Sequence, residues 1–138
     1  MVPYCSTLPN STGFGGNIFS TDAPGMSRGT FTLRAWSLPV GATGVFFYGL
    51  SATEVPVADG YLCVGSGGVG IFRFAPLLVQ PNGRAEMEID FTAAPAGLGP
   101  GAIQPWTSTY FQFWHRDVSG PLGTGSNFTR GLRVTFCP

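Results

Sequence analysis

The chain has 138 residues, of which 43% are hydrophobic and only 10% are charged, and its seven basic and seven acidic side chains balance to a formal net charge of zero. A length of this order is typical of one domain with its own core, so we expect a single domain over residues 1–138. Nucleic-acid binding depends on clustered cations, and a membrane-spanning helix needs about 18 or more consecutive apolar residues. The sequence has neither, which argues against a nucleic-acid partner and against membrane insertion.

The composition indicates an ordered β protein. The 21 glycines and 12 prolines reach a level associated with low complexity, but 12 phenylalanines accompany them, and disordered chains are poor in aromatic residues. Glycine and proline therefore mark the ends of many short strands. All seven basic residues are arginine, so the lysines that often protect strand edges from pairing are missing. A surface with few charges and many aromatic groups favours self-association.

In the first half of the chain, the predicted elements are short strands. The polar, glycine-rich stretch up to Gly29 is predicted to be irregular apart from a strand at Asn17–Ser20. Apolar and polar residues alternate over Thr30–Trp36, as in a strand with one buried face. Gly44–Gly49 is a continuous apolar run bounded by glycines, which is typical of a strand buried on both faces. Next, the runs 61–64 and 69–74 flank four small residues and predict two strands joined as a hairpin.

The second half contains the clearest pattern. From Arg84 to Thr92 every second residue is apolar, which predicts one buried and one solvated strand face. Residues 93–105 contain three prolines and are predicted to be loop. Thr109–Arg116 and the alternating run 132–136 predict the last two strands. Seven or eight short strands without a helix predict an all-β fold, either an antiparallel β-sandwich or jelly roll or, as the alternative, a closed β-barrel.

Three cysteines, Cys5, Cys63 and Cys137, bear on the cellular compartment. They are far apart in sequence and accompany a single histidine, so we expect no metal site and no cofactor. A Cys5–Cys137 disulfide would close nearly the whole chain and contribute about 4–5 kcal/mol. It would indicate a secreted protein, whereas three reduced thiols would indicate a cytosolic one. Cys63 lies in an apolar strand, which favours a buried free thiol.

A polar cluster at the end of a predicted strand is the candidate binding site. Trp114, Arg116 and Asp117 combine an aromatic ring, a planar cation and a carboxylate, and Tyr110 shares the strand face of Trp114. Such a set is typical of sugar-binding sites. The simpler interpretation is that Arg116 and Asp117 fix the following loop by charge-assisted hydrogen bonds, and that the aromatic rings belong to the core.

Catalytic residues are not predicted. Glu86, Glu88 and Asp90 lie along one strand face with a spacing of about 7 Å, which superficially suits an acid–base pair or a calcium site. A solvated sheet face explains them better. No serine lies in a Gly-x-Ser-x-Gly elbow. We therefore expect a protein that is not an enzyme.

Six short motifs recur together in one known family. They are Tyr4-Cys5, Asn10–Gly13, Phe46–Gly49, Leu62–Val64, Trp114–Asp117 and Leu132–Pro138. In this order they resemble the small β-rich domain at the C-termini of many secreted planctomycete-type bacterial proteins. The resemblance spans the whole chain and implies export, a β-rich fold and an accessory role, without established catalytic residues. That family often has a second cysteine where this chain has Phe14, so Cys5–Cys63 and Cys63–Cys137 pairings also remain open.

The most favoured function is that of a non-enzymatic extracellular module for adhesion or surface assembly, whose partner is another protein or a second copy paired through strand edges. The alternative is a carbohydrate-binding module that uses exposed tryptophan and tyrosine together with Arg116 and Asp117 to hold a polysaccharide. A glycoside hydrolase-like enzyme is the least favoured interpretation.

Overall fold

A computed structural model describes residues 1–28 and 30–138 of the chain. Gly29, where the predicted irregular segment ends, lies outside the described residues. The described residues form twelve strands and one 3-10 turn, Met26–Arg28. The strands are β1 Val2–Tyr4, β2 Asn17–Phe19, β3 Thr32–Trp36, β4 Thr43–Gly49, β5 Ser51–Val57, β6 Gly60–Gly65, β7 Phe72–Arg73, β8 Leu77–Leu78, β9 Ala85–Glu88, β10 Ser108–Asp117, β11 Gly125–Phe128 and β12 Gly131–Thr135.

The larger of two facing sheets is built around β10. Its strand order is β1-β12-β10-β4-β7, with β11 also paired to β10 and β8 to β4. The register sets Phe111 of β10 opposite Tyr48 of β4 and Leu132 of β12. These three side chains all point to the same face and are at most 1% exposed. That face is one wall of the core.

The smaller sheet, ordered β2-β3-β9, forms the opposite wall. Ile18, Leu33 and Ala85 project from it into the same buried cluster as the inward side chains of β4, β10 and β12. The predicted antiparallel β-sandwich is therefore confirmed. In the described chain the larger sheet ends at β1 on one side and at β7 and β8 on the other, so the alternative of a closed barrel is wrong.

The alternation over residues 84–92 is confirmed by burial. Ala85 and Ile89 are fully buried, and Met87 and Phe91 pack against the same core. Glu88 and Asp90 are exposed on the other side. The strand itself is shorter than the pattern and ends at Glu88.

A third layer covers part of the outer face of the larger sheet. The hairpin of β5 and β6 lies across β10, and Gln112 of β10 binds it: its Oε1 accepts a hydrogen bond from the amide of Cys63 (2.9 Å), and its Nε2 donates to the carbonyl of Tyr61 (2.8 Å). The backbones of β4 and β6 approach so closely that a β-carbon on Gly49 would collide with the carbonyl of Gly65. This layer covers part of the outer face of Gly44–Gly49, where every residue except the half-buried Val45 is buried, in agreement with most of the prediction.

The predicted hairpin between residues 61–64 and 69–74 is wrong. β6 pairs with β5, and β7, reduced to Phe72–Arg73, pairs with β4. The sequence of β5 conceals its pairing, because Pro56 and Glu54 interrupt the alternation and most of the strand is exposed. The strands β1, β8 and β11 were not predicted either, since each has at most four residues.

The expected Cys5–Cys137 disulfide is also wrong. Cys5 bonds to Cys63, and Cys137 is free. The register explains the difference, because β1 and β12 run antiparallel and Tyr4 lies opposite Gly131. Cys5 and Cys137 therefore lie at opposite ends of β12. Cys63 is thus buried but is not the free thiol that its apolar strand suggested.

The described residues contain no helix long and apolar enough to cross a membrane.

Candidate functional site

A groove opens on the outer face of the larger sheet, beside the β5–β6 hairpin. We call it the outer groove. It has a volume of about 420 Å³. Its lining comes from five separate segments of the chain and consists of Val45, Phe47, Leu62, Ile71, Arg73, Trp114 and Phe128.

The strand alternation of β4 and β10 creates this apolar outer surface. In β4, Phe46 and Tyr48 point into the core, so Val45 and Phe47 point outward. In β10, Trp114 points outward in the same way. Phe47 and Phe128 pack edge to face with their ring centroids 6.1 Å apart and form a small second core below the groove. The main core on one face of β4 and the Phe47–Phe128 cluster on the other face therefore both fix the floor of the groove.

Two arginines give the groove its charge. Arg73 lines it directly, and the guanidinium of Arg116 lies 5.2 Å from the centre of the Trp114 ring, within the range of a cation–π contact. The only ion pair among residues 1–28 and 30–138 joins Arg34 to Glu86 on the opposite sheet. Neither groove arginine therefore has a carboxylate partner, and no carboxylate lines the groove.

The four predicted binding residues do not form one surface. Trp114 lines the outer groove, and Arg116, on the same strand face, contacts the Trp114 ring from outside the lining. Tyr110 points to the same face but lies against Tyr4, edge to face at 5.4 Å, outside the groove lining. Asp117 has the opposite parity and is 3% exposed, and its Oδ2 accepts a hydrogen bond from the amide of Ser11 at 2.9 Å. Asp117 therefore fixes the N-terminal loop through its side chain, and not the loop after the strand, as the simpler interpretation had it.

The single histidine, His115, is buried in the core side of β10 beside Phe113. Its Nδ1 lies 3.0 Å from the carbonyl of Arg116, so Nδ1 is the protonated nitrogen, and Nε2 has no hydrogen-bond partner among the residues that the structure describes. Desolvation lowers the pKa of His115, partly offset by the Arg116 carbonyl and by the charge of Asp117. The imidazole is therefore neutral at pH 7.

Glu86, Glu88 and Asp90, which we call the acidic stripe, lie on or directly after β9 of the smaller sheet, away from the groove. Glu86 forms its ion pair with Arg34 at 2.7 Å. Asp90 accepts hydrogen bonds from the amide and hydroxyl of Thr92, and these lower the pKa of Asp90. These contacts suit a solvated sheet face. Within the described part of the chain, no three histidine, cysteine or carboxylate side chains are grouped as metal ligands.

Most residues that line the groove could not be predicted from the sequence. Trp114 and Arg116 stood out, but Leu62, Ile71 and Phe128 come from segments that meet only in the fold. One sequence feature points to the groove. The continuous apolar residues of β4 predict that its outer face is also buried, and hence that a second apolar cluster lies outside the main core.

Comparison of the chain with protein-family models, curated proteins and solved structures finds no match to any of them. The function is therefore argued from the geometry of the groove.

Proposed function

We propose that this chain is a non-enzymatic extracellular module for adhesion or surface assembly, and that its outer groove binds an apolar side chain flanked by carboxylates on a protein partner. The observation that carries the proposal is the groove itself: six apolar side chains form a cleft of about 420 Å³, with two unpaired arginines at its edge. Pockets of this size and apolar lining are usual for ligand binding.

The lining favours a protein side chain over a sugar. A sugar ring stacks on tryptophan but also needs several hydrogen bonds to its hydroxyl groups. Arg73 is the only charged or hydrogen-bonding side chain in the lining apart from the Trp114 indole. A phenylalanine or leucine side chain gains from burial alone, at about 25 cal/mol per Å² of apolar surface.

The arginines favour acidic neighbours of that side chain. A guanidinium binds a carboxylate with two parallel hydrogen bonds, and its planar face can rest on an aromatic ring at the same time. Arg116 already lies over Trp114 in this way. A carboxylate beside the inserted apolar residue would therefore meet a positioned donor.

The Cys5–Cys63 disulfide supports an extracellular setting, because such bonds persist mainly in oxidising compartments. The resemblance to a domain of exported bacterial proteins supports the same setting.

A peptide titration followed by NMR tests the proposal. The chain has three tryptophans, and the indole N–H signal of Trp114 is identified by its absence in the Trp114→Phe variant. Acetyl-Gly-Asp-Phe-Asp-Gly-amide is expected to shift this signal in a saturable manner, and the same peptide with lysine in place of both aspartates is expected not to. Arg73→Gln and Arg116→Gln should each weaken binding about threefold to tenfold. Arg84→Gln, an exposed arginine outside this groove, is the matched control.

Two results would count against the proposal, and a third would identify the partner. Equal binding of the lysine peptide would remove the role of the arginines. Binding of cellohexaose or chitohexaose at Trp114, with no peptide binding, would favour the carbohydrate-binding module, for which the tryptophan in the groove is the supporting feature. Oligomers that grow with concentration and disappear in Trp114→Ala would instead show that the protein partner is a second copy of this chain, which is the surface-assembly form of the proposal. Light scattering after size-exclusion chromatography detects that outcome.

A further inference from the structure

A second site is suggested at the corner where the β5–β6 turn meets the loop that follows β10, on residues separate from the outer groove. Two carboxylates are buried there. Asp59, in the turn, is 1% exposed, and Asp117, at the end of β10, is 3% exposed. Charged groups are rarely buried to this extent unless a partner compensates the charge.

Hydrogen bonds reach only some of the carboxylate oxygens of Asp59 and Asp117. Oδ1 of Asp59 accepts from the amide (3.2 Å) and the hydroxyl (2.6 Å) of Thr124, and these bonds lower the pKa of Asp59. Oδ2 of Asp117 accepts from the amide of Ser11. Oδ2 of Asp59 is buried and has no hydrogen-bond partner of standard geometry among the described residues, although the amide of Leu122 approaches this carboxylate and also lowers the pKa of Asp59. An ionised carboxylate oxygen in this state is costly unless something else neutralises it.

Gly120 shows where the unpaired oxygen points. A β-carbon on Gly120 would lie 3.0 Å from both the carbonyl oxygen and Oδ2 of Asp117, and nearer still to Oδ2 of Asp59. Three oxygens from two residues therefore lie within 3.0 Å of one point beside the Cα of Gly120, and they approach this backbone closely because residue 120 has no side chain.

No positive side chain balances these charges. Neither carboxylate has an arginine within 4.0 Å among the described residues, whose single ion pair lies on the opposite sheet.

We propose that Asp59 and Asp117 bind a divalent cation, and that calcium is the ion they fit. Carboxylate and carbonyl oxygens are the ligands that calcium prefers, at 2.3–2.6 Å in flexible geometry, with water in the remaining positions. Magnesium requires nearly ideal octahedral geometry at 2.0–2.1 Å and gives up its water reluctantly, so a site with few protein oxygens and flexible geometry suits calcium better. The bound ion would join the hairpin turn to the loop after β10, and through Ser11 to the N-terminal segment.

Calorimetry and thermal unfolding test the site on protein first stripped with a chelator. Calcium is expected to bind with a Kd of about 10⁻⁴–10⁻³ M, the range of extracellular modules, and to raise Tm by several degrees at saturation. Asp59→Asn and Asp117→Asn should each weaken binding about tenfold or more. Asp90→Asn is the matched control, because Asp90 bonds to Thr92 as Asp59 does to Thr124 but is exposed. It should bind calcium like the unaltered chain.

No heat and no change in Tm with calcium in the stripped chain would overturn the proposal, as would an unchanged calcium response in Asp59→Asn. If the asparagine variants fail to fold, a calcium titration of the unaltered protein by NMR decides the matter. Saturable shifts centred on the amides of Asp59, Gly120 and Thr124 would support the site, and shifts centred on the acidic stripe of β9 would overturn it.

Discussion

Replacement of Gln112 by leucine should weaken the attachment of the β5–β6 hairpin to the sheet below it. Gln112 is fully buried, and its amide makes three hydrogen bonds: to the backbone of Cys63 and Tyr61 in the hairpin, and to the carbonyl of Thr129 at 2.7 Å. The bond to Cys63 compensates an irregularity. The β5–β6 register shifts between Ala52 and Val55, which leaves Cys63 without a paired residue on β5.

The expected loss follows from these bonds. Leucine fills most of the same volume, so the cavity term is small, and the main cost is three hydrogen bonds at about 1 kcal/mol each. We expect the free energy of unfolding to fall by about 3 kcal/mol, with more if the Cys63 amide stays buried without a partner.

Urea unfolding in non-reducing buffer measures this loss, because the Cys5–Cys63 disulfide is then present in both proteins. The midpoint should fall while the m-value stays constant. The control is Gln104→Leu, an exposed glutamine whose amide bonds only to the nearby carbonyl of Ala102. A loss below about 1 kcal/mol, or one equal to the control, would refute the argument that Gln112 holds the third layer.

Two further predictions concern the disulfide and the histidine. The double variant Cys5→Ser/Cys63→Ser should lower the free energy of unfolding by about 4 kcal/mol, because the disulfide closes a loop with a sequence separation of 58. The control is Cys137→Ser, which removes a free thiol. An effect of the double variant no larger than that of the control in the same urea titration would contradict this prediction. The free energy of unfolding should fall as the pH drops below 6.5, because the unfolded chain protonates His115 before the folded chain does, and His115→Gln should show a flatter dependence. An imidazole that titrates in the folded protein at or above pH 6.5 by NMR would show this reasoning to be wrong.

The two-sheet core could be predicted from the sequence because it depends on local alternation. The run 84–92 and the apolar segment Gly44–Gly49 specify which side chains are buried without reference to any distant partner. The third layer could not be predicted in this way. It depends on β5, whose exposed residues and Pro56 carry almost no pattern, and on Gln112, a polar residue that is buried only because the hairpin covers it.

The binding residues show the same limit. Trp114 and Arg116 share a parity, and the structure brings them together, while Asp117 follows Arg116 directly and so points to the opposite face. The alternation of side chains along a strand therefore already predicts that Asp117 lies on the opposite face from Trp114 and Arg116. The remainder of the groove, and the proximity of Asp59 to Asp117, arise from long-range pairing that local spacing does not encode.

The position of the Cys5–Cys63 bond also determines how the fold would respond to mechanical tension. β1 and β12 are antiparallel neighbours, so a force pulling on the chain before β1 and after β12 would separate them one residue pair at a time, the easiest direction in which to break a sheet. Only the three residues Val2–Tyr4 can be peeled away before the load reaches Cys5. From there a covalent bond transfers the load to β6, in the layer that Gln112 anchors. At its N-terminal end the module would therefore lengthen by one short strand before a covalent bond takes the load.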